Sequence, residues 1–293
     1  MDSDSENNKS FKACKLHCTS LISLHSRSQF FCMNNFYKIL VFFCHLFFIQ
    51  AYSQHPQKQY PFSHGAIVKG DTTKKELALV FTADEYGEGL QTILQTLKDA
   101  NVKGNFFFTG RFYRNRFFQS DIKQLHKAGH YLGPHSDQHL LYCDWTKRDS
   151  LLVTKDSFSK DLQQNIAAIK ALGIQRPTYF IPPYEWWNDS IAYWSRNENL
   201  VLFNFSPGIR TAADYTWPEM GAAYKSSDWL VNHVEELASN NPNVFNGAII
   251  LIHAGIDPRR KDKFYHRLPQ LLRLLKQKGY QFKRIDELIT LKE

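Results

Sequence analysis

Sulfur is scarce in this chain. Its 293 residues hold five cysteines and three methionines. Cys14, Cys18, Cys32 and Cys44 all fall before residue 54, and only Cys143 follows. Once those first residues are removed, no intrachain disulfide can hold the rest together. Cys14-x-x-x-Cys18 encloses His17 but has no further ligands nearby, so chance explains it better than a zinc cluster. Cys143 reads as a packed thiol rather than a nucleophile. Charge of one sign is also lacking: beyond residue 53 the chain carries 31 Lys/Arg against 25 Asp/Glu, a net of +6, with the signs interspersed. There is no basic block with interleaved aromatics, which argues against a nucleic-acid partner. Short-period repeats and low-complexity tracts are missing too.

Long hydrophobic runs are missing as well. The longest, residues 39–49, follows Lys38 and precedes Ala51-Tyr52-Ser53. It is too short for a comfortable membrane span. A charged start, a short apolar core and a small-residue cleavage site make 33–53 a secretory signal peptide; the competing reading is a buried strand or helix. The expected location is then secreted or periplasmic, with no stable membrane span after cleavage. Residues 1–32 read as a non-structural extension, and Met33 is an alternative start. Residues 54–65, with Pro56 and Pro61, read as a linker. That leaves 66–293 as one domain, large enough to bury a full core.

What is present is a strand–helix alternation. The apolar run ELALVFTA (76–83) predicts a buried strand, and Leu90, Ile93, Leu94 and Leu97 predict a helix over 89–102. NFFFTG (105–110) is a second strand, 116–128 a helix, and HYLGPHS ends a third strand. The clearest helix is 157–172, with a stripe of Phe158, Leu162, Ile166 and Ile169 and a stop at Gly173. Strands are expected at 178–184, 200–205, 248–254 and QFKRI, with helices at 189–198, 227–239 and along Phe264, Leu268, Leu271, Leu272 and Leu275. Alternation repeated about seven times implies parallel strands with crossover helices, most simply held in a closed or nearly closed barrel. Chemistry in such folds sits beyond the C-terminal strand ends.

The unusual polar residues fall at those ends. They are Thr82-Ala83-Asp84-Glu85, His135-Ser136-Asp137-Gln138-His139, Pro182-Pro183-Tyr184-Glu185-Trp186-Trp187 and Leu251-Ile252-His253. Imidazoles spaced i, i+4 with a carboxylate can hold a divalent ion and keep one position open. A second carboxylate can take a proton from water, and a separate histidine can protonate a leaving group. That set suits hydrolysis of an amide or ester. Each piece has a plainer reading. His135 and His139 could be a surface or capping pair, Asp84-Glu85 could begin a helix, and His253 could be a hydrogen-bonded core residue. Trp145, Trp186 and Trp187 suit either the apolar face of a sugar or loop packing. Trp194 and Trp229 read as core.

In these motifs and their order the chain resembles the NodB-homology polysaccharide deacetylases, carbohydrate esterase family 4, over roughly residues 66–290. The family's T-F-D-D is matched by Thr82–Glu85, H-[ST]-x-x-H by His135–His139, R-x-P-[YF] in part by Ile181–Tyr184, and L-x-H by Leu251–His253. The resemblance implies a distorted (β/α)7 barrel and removal of N- or O-linked acetyl groups from a carbohydrate. It implies Asp84 as general base and His253 as general acid. Glu85, His135 and His139 would be ligands of a divalent metal, zinc with cobalt or nickel as alternatives. Pro183, Tyr184 and Trp186 would lie at the substrate, with the Tyr184 N–H on the oxyanion. Asp214, before Trp217, is the candidate for tuning the acid, and Asp228-Trp229 the second. Two departures stand out: Glu85 replaces the ligand aspartate, and Ile181 the arginine that would orient the base. Arg176 or Arg210 reaching in from elsewhere would restore that arginine. Two other readings are a catalytically impaired carbohydrate-binding protein and a deacylase of a small non-sugar amide.

Overall fold

The computed structural model describes residues 60–291. The extension at 1–32, the signal segment at 33–53 and residues 54–59 of the linker lie outside the described residues. Residues 60–65, expected as linker, instead begin the fold. Strand β1 (Phe62–Ser63) pairs antiparallel with β2 (Ala66–Ile67). Between them His64 and Gly65 turn with φ of 44° and 73°, the successive left-handed pair that a tight hairpin needs.

Seven parallel strands follow. Strand β3 (Glu76–Ala83) lies at the centre, flanked by β4 (Asn105–Phe108) and β8 (Ala248–His253), with β5 (Tyr131–Pro134) outside β4 and the short β9 (Gln281–Phe282) against the foot of β3. Strands β6 (Tyr179–Phe180) and β7 (Val201–Leu202) form a separate pair. The crossovers are helical: α1 (Leu90–Asp99), α2 (Gly110–Arg114), α3 (Gln119–Lys127), α4 (Lys155–Ala171), α5 (Asp189–Asn197), α6 (Ser227–Asn240) and α7 (Leu268–Gln277), with α8 (Ile285–Leu288) last. This is the expected distorted (β/α)7 barrel. The helix expected at 116–128 is preceded by α2, a single turn that the residue pattern did not reveal. Among the described residues no helix is long and apolar enough to cross a membrane.

The distortion lies in how the ring closes. Strands β5 and β6 share no ladder; the Tyr131 hydroxyl accepts hydrogen bonds from the N–H groups of Thr178 and Tyr179, both at 3.0 Å. Beyond β7, Phe203 bridges Ile67 of β2. Ser206 then reaches β8, its N–H donating to Ile249 O at 2.9 Å and its hydroxyl accepting from Ile249 N at 3.0 Å. Side-chain oxygens thus satisfy backbone groups that a regular sheet would pair with each other.

Strand periodicity of two sorts the residues. Leu77, Leu79 and Phe81 of β3 pack outward with Phe106, Phe108, Ile250 and Ile252 against α1, α6 and α7. Ala78 and Val80 face inward, with Phe107, Tyr131, Tyr179, Ile181, Ile249 and Leu251. Gly133 of β5 also faces inward, since a Cβ there would lie 2.3 Å from the Phe107 ring. Ile285, Leu288 and Ile289 join Tyr60 in the same inner cluster and plug the N-terminal end of the strands, and Asn105 at the start of β4 receives the Ile285 N–H at 2.6 Å. The C-terminal end stays open. Continuing the inward parity past the apolar residues brings Thr82 of β3, Asp84 just after it, His135 after β5 and His253 of β8 to that open end.

Candidate active site

A cavity of about 430 Å³ opens there, lined by Asp84, Glu85, His135, His139, Tyr184 and His253 among others. Four loops distant in sequence meet because their strands are neighbours in the barrel.

The imidazole pair is held rigidly from below. Asp161 on α4 accepts hydrogen bonds from the Ser136 hydroxyl (2.7 Å) and from the N–H groups of Asp137 (2.9 Å) and Gln138 (3.0 Å). Asn165, one turn on, accepts from the His135 N–H at 2.8 Å. Arg114 of α2 grips Asp137 with two bonds of 2.6 and 2.9 Å. Gly110 lets this carboxylate approach, because a Cβ there would lie 1.8 Å from Asp137 Oδ1. The network holds Ser136 (φ 70°) and His139 (φ 57°) in left-handed conformations that would otherwise cost about 1–3 kcal/mol each. His135 is 2 % exposed, and its Nδ1 lies 2.9 Å from Ile181 O. As a donor to that carbonyl, Nδ1 leaves Nε2 with its lone pair. The two rings stand 5.1 Å apart. Burial pushes His135 down to about 3, with the nearby charge of His139 adding to the effect, and burial pushes His139 down to about 4. Both are neutral at ordinary pH, as a metal ligand must be.

The two carboxylates of the first motif take different positions. Asp84 is pinned by Arg111, whose Nε donates to Oδ1 at 2.5 Å while Nη2 donates to Oδ2. Burial would raise the Asp84 pKa, but the Arg111 hydrogen bonds and the charges of His139 and Arg111 outweigh it, and the pKa is lowered. Asp84 Oδ2 lies 3.9 Å from His139 Nδ1. The Glu85 side chain is 60 % exposed, and Oε1 lies 3.7 Å from Arg111 Nη2. The expected ligand set of Glu85, His135 and His139 is therefore not gathered in one cluster, and no group of three such side chains forms a metal-binding cluster among the described residues. The donor chemistry nevertheless fits a zinc-like ion: two neutral imidazoles, one fixed by a backbone carbonyl, with carboxylates on the same rim.

The arginine expected from Arg176 or Arg210 is Arg111 instead. Arg176 bonds Glu198 O, and Arg210 caps the 3-10 turn at Thr211–Tyr215 with φ of 69°. Ile181 is wholly buried inside the barrel. Arg111 lies in the first turn of α2, just beyond β4, and its place near a strand's C-terminal end was the available sequence signal.

Across the cavity, His253 Nδ1 lies 2.6 Å from Asp214 Oδ1, and the His253 N–H donates to Oδ2 at 2.9 Å. Burial alone would lower the His253 pKa, but the charge and hydrogen bond of Asp214, helped by Glu185, raise it. Arg260, fully buried, holds the loop that carries Asp214 and Trp217 by donating to Thr216 O (2.7 Å) and Lys225 O (2.9 Å). The runner-up, Asp228, is exposed and pairs with Arg267.

Pro183 is buried and opens a 3-10 turn, Pro183–Glu185. Tyr184 and Glu185 follow with φ of 58° and 52°. The Tyr184 N–H makes no hydrogen bond among the described residues, and its ring lies 4.3 Å from that of His139. The tryptophans divide. Trp145 lines the cavity and is 53 % exposed. Trp186, expected at the substrate, packs behind Trp145 at 5.6 Å and donates to Asp144 O at 3.1 Å. Trp187 is core, its Nε1 donating to His64 O. Trp194 packs on the core as expected, whereas Trp229 is 39 % exposed and stacks on His233.

Residues 69–201 match the family model for polysaccharide deacetylase. An uncharacterized 30.6 kDa protein of Geobacillus stearothermophilus is 27 % identical over 77 % of this chain and 75 % of its own length. A peptidoglycan-N-acetylglucosamine deacetylase of Bacillus cereus is 25 % identical over 77 % of this chain and 94 % of its own. The solved structure of a CE4 family pseudoenzyme from Bacillus anthracis superposes with a TM-score of 0.60 at 23 % identity, covering 78 % of this chain and 69 % of that one. In motif order, in the barrel and in these matches the chain is similar to the NodB-homology polysaccharide deacetylases, carbohydrate esterase family 4.

Proposed function

We propose that this protein is a secreted or periplasmic, metal-dependent hydrolase that removes acetyl groups from a carbohydrate polymer or oligosaccharide. One observation carries the reading. A carboxylate whose pKa an arginine lowers and an imidazole whose pKa a carboxylate raises line the same cavity as two imidazoles held neutral by burial. These shifts run in the directions that a base, an acid and a pair of ligands require.

Asp84, aligned by Arg111, accepts the proton of the attacking water. The Tyr184 N–H, which makes no hydrogen bond among the described residues, donates to the oxyanion. His253, with Nδ1 committed to Asp214, presents Nε2 to the leaving nitrogen or oxygen and protonates it as the bond to the acyl carbon breaks. His135 and His139 would hold a divalent ion, zinc with cobalt or nickel as alternatives, and Glu85 would join them by turning from Arg111. Such an ion would supply a Lewis acid for the acetyl carbonyl and for water. Trp145, Tyr215 and Trp217 line the mouth and suit the apolar face of a sugar ring.

The test is acetate release from acetylated chito- and xylo-oligosaccharides with added Zn²⁺ or Co²⁺. Saturable sugar binding without release would replace this reading with that of a carbohydrate-binding protein, which the outward Glu85 favours. Release from small acetamides alone would point to a non-sugar deacylase.

A further inference from the structure

A second cavity, also of about 430 Å³, lies toward the other end of the barrel. It opens between α1 and α3, where both helices end and the chain turns into β4 and β5. Its charged lining residues are Lys98, Lys103 and Lys127, and no carboxylate lines it.

Helix capping accounts for one of these ammonium groups. Lys103 Nζ donates to Ala128 O, at the C-cap of α3, at 2.5 Å. Ala100 O, at the C-cap of α1, is taken by Lys276. The chain caps the remaining carbonyls itself. The N–H groups of Ala100, Asn101 and Val102 donate to Thr96, Lys98 and Leu97, and those of Ala128, Gly129 and His130 to Gln124, His126 and Leu125. The helix ends that attract cations are thus filled without Lys98 or Lys127. Acids do not account for these two either. The one carboxylate of each helix is held by an amide: Asp121 by Gln91 Nε2 at 2.7 Å, and Asp99 by Gln95 Nε2 at 2.6 Å. Among the described residues neither ammonium group has an ion-pair or hydrogen-bond partner.

A buried donor lines the same cavity. His130 is 5 % exposed. Its Nδ1 accepts the Gly104 N–H at 3.0 Å, so Nε2 carries the ring proton. That N–H has no acceptor among the described residues. Gln91 and Gln95 commit their Nε2 groups to the aspartates and keep Oε1 for a hydroxyl. Leu97 and Val102 supply an apolar wall.

We propose that this cavity binds a phosphate ester of a polyol or sugar. Lys98, Lys127 and the His130 Nε2–H take the phosphate, and Gln91 and Gln95 accept from hydroxyls. The cavity is in the size range of small-molecule sites rather than of a bare ion. Ammonium groups bind phosphate as point charges, with no need of a planar fork. The source is a free phosphate ester or the repeat unit of a polyol phosphate chain. This assignment does not depend on the deacetylase reading.

The test is calorimetric titration with glycerol 3-phosphate, inorganic phosphate, glycerol and a glycerol phosphate polymer. Lys98→Gln with Lys127→Gln removes the charge at exposed positions, where folding is little disturbed. The unaltered protein should bind glycerol 3-phosphate one to one, at least tenfold more tightly than glycerol or inorganic phosphate. The double variant should bind it about tenfold or more weakly, with an unchanged melting temperature. Glycerol 3-phosphate should also shift the His130 Hε1 resonance. A polymer that binds more tightly per phosphate than the monomer would assign the source as a chain; equal affinity per phosphate would assign a free ester. Absence of saturable binding, unchanged affinity in the double variant, or an unmoved His130 resonance would overturn the site. Inorganic phosphate binding as tightly as the ester would overturn the polyol or sugar assignment.

Discussion

His135 and His253 sit at equivalent places in the barrel and have opposite electrostatics. Each continues the inward-facing residues of a barrel strand and lines the same cavity. His135 meets a backbone carbonyl through Nδ1 and is pushed down to about 3 by burial. His253 meets a carboxylate through Nδ1, and that charge overcomes burial and raises its pKa. A dipole holds an imidazole without paying for its protonation, whereas a buried anion stabilises the imidazolium. The partner on one ring nitrogen thus separates a candidate ligand from a candidate acid.

The largest effect is expected from breaking the neutral side. His135→Ala should abolish bound zinc in the purified protein, measured by elemental analysis. It should also lower acetate release on the order of 10³-fold, the equivalent of several kcal/mol of lost Lewis-acid stabilisation. Chelation of the unaltered protein should do the same, and Zn²⁺ should reverse it. Retention of stoichiometric metal in His135→Ala would remove the imidazole pair from the ligand set.

Breaking the charged side comes next. Asp214→Asn should lower kcat/KM by about 10²-fold or more and move the basic limb of the pH profile to lower pH. The same substitution should change stability. Because the folded pKa of His253 is raised, the pairing stabilises fully below the ordinary imidazole value and is lost as pH rises through the raised one. Melting temperature followed across that interval should slope less in Asp214→Asn. An unchanged slope would mean that Asp214 does not hold the proton on His253.

Arg111→Met acts between the two. Asp84 loses the guanidinium that holds it below the usual carboxylate range, so the acidic limb should move up in pH and kcat/KM should fall by about tenfold. Arg111→Lys keeps the charge without the two-pronged grip and should recover only part of the rate. The smallest effect sharpens the comparison as a control. Trp145→Ala touches neither ring's hydrogen-bond partner, so it should raise KM by roughly 2–10-fold and leave both limbs of the pH profile in place.

These same contacts mark how far the residues alone were informative. Asp214 was reachable from sequence because it precedes an aromatic, Trp217, in the expected span. Arg111 was not identified, because Ile181 removed the arginine from its expected place and a guanidinium's reach extends past its own loop. Asp161 and Asn165 were hidden in a helix read for its apolar stripe. Two polar residues at i, i+4 beside that stripe were the signal that this helix supports a loop as well as a core. Trp186 and Trp187 are adjacent in sequence, yet one supports the cavity rim and the other is core, because a 3-10 turn and the following extended residues point them apart.

The sequence by itself determined the seven strands and their order, the inward and outward faces, and the arrival of Asp84, His135 and His253 at one end, because strand periodicity and parallel crossovers act locally and repeat. Only the tertiary structure decided which arginine meets Asp84, that Glu85 faces away from the imidazoles, that Glu185 enters the cavity, and that the barrel closes through Tyr131 and Ser206. Those outcomes depend on left-handed loop residues and on side chains meeting across gaps between elements, where direction is set by packing in space rather than by spacing along the chain.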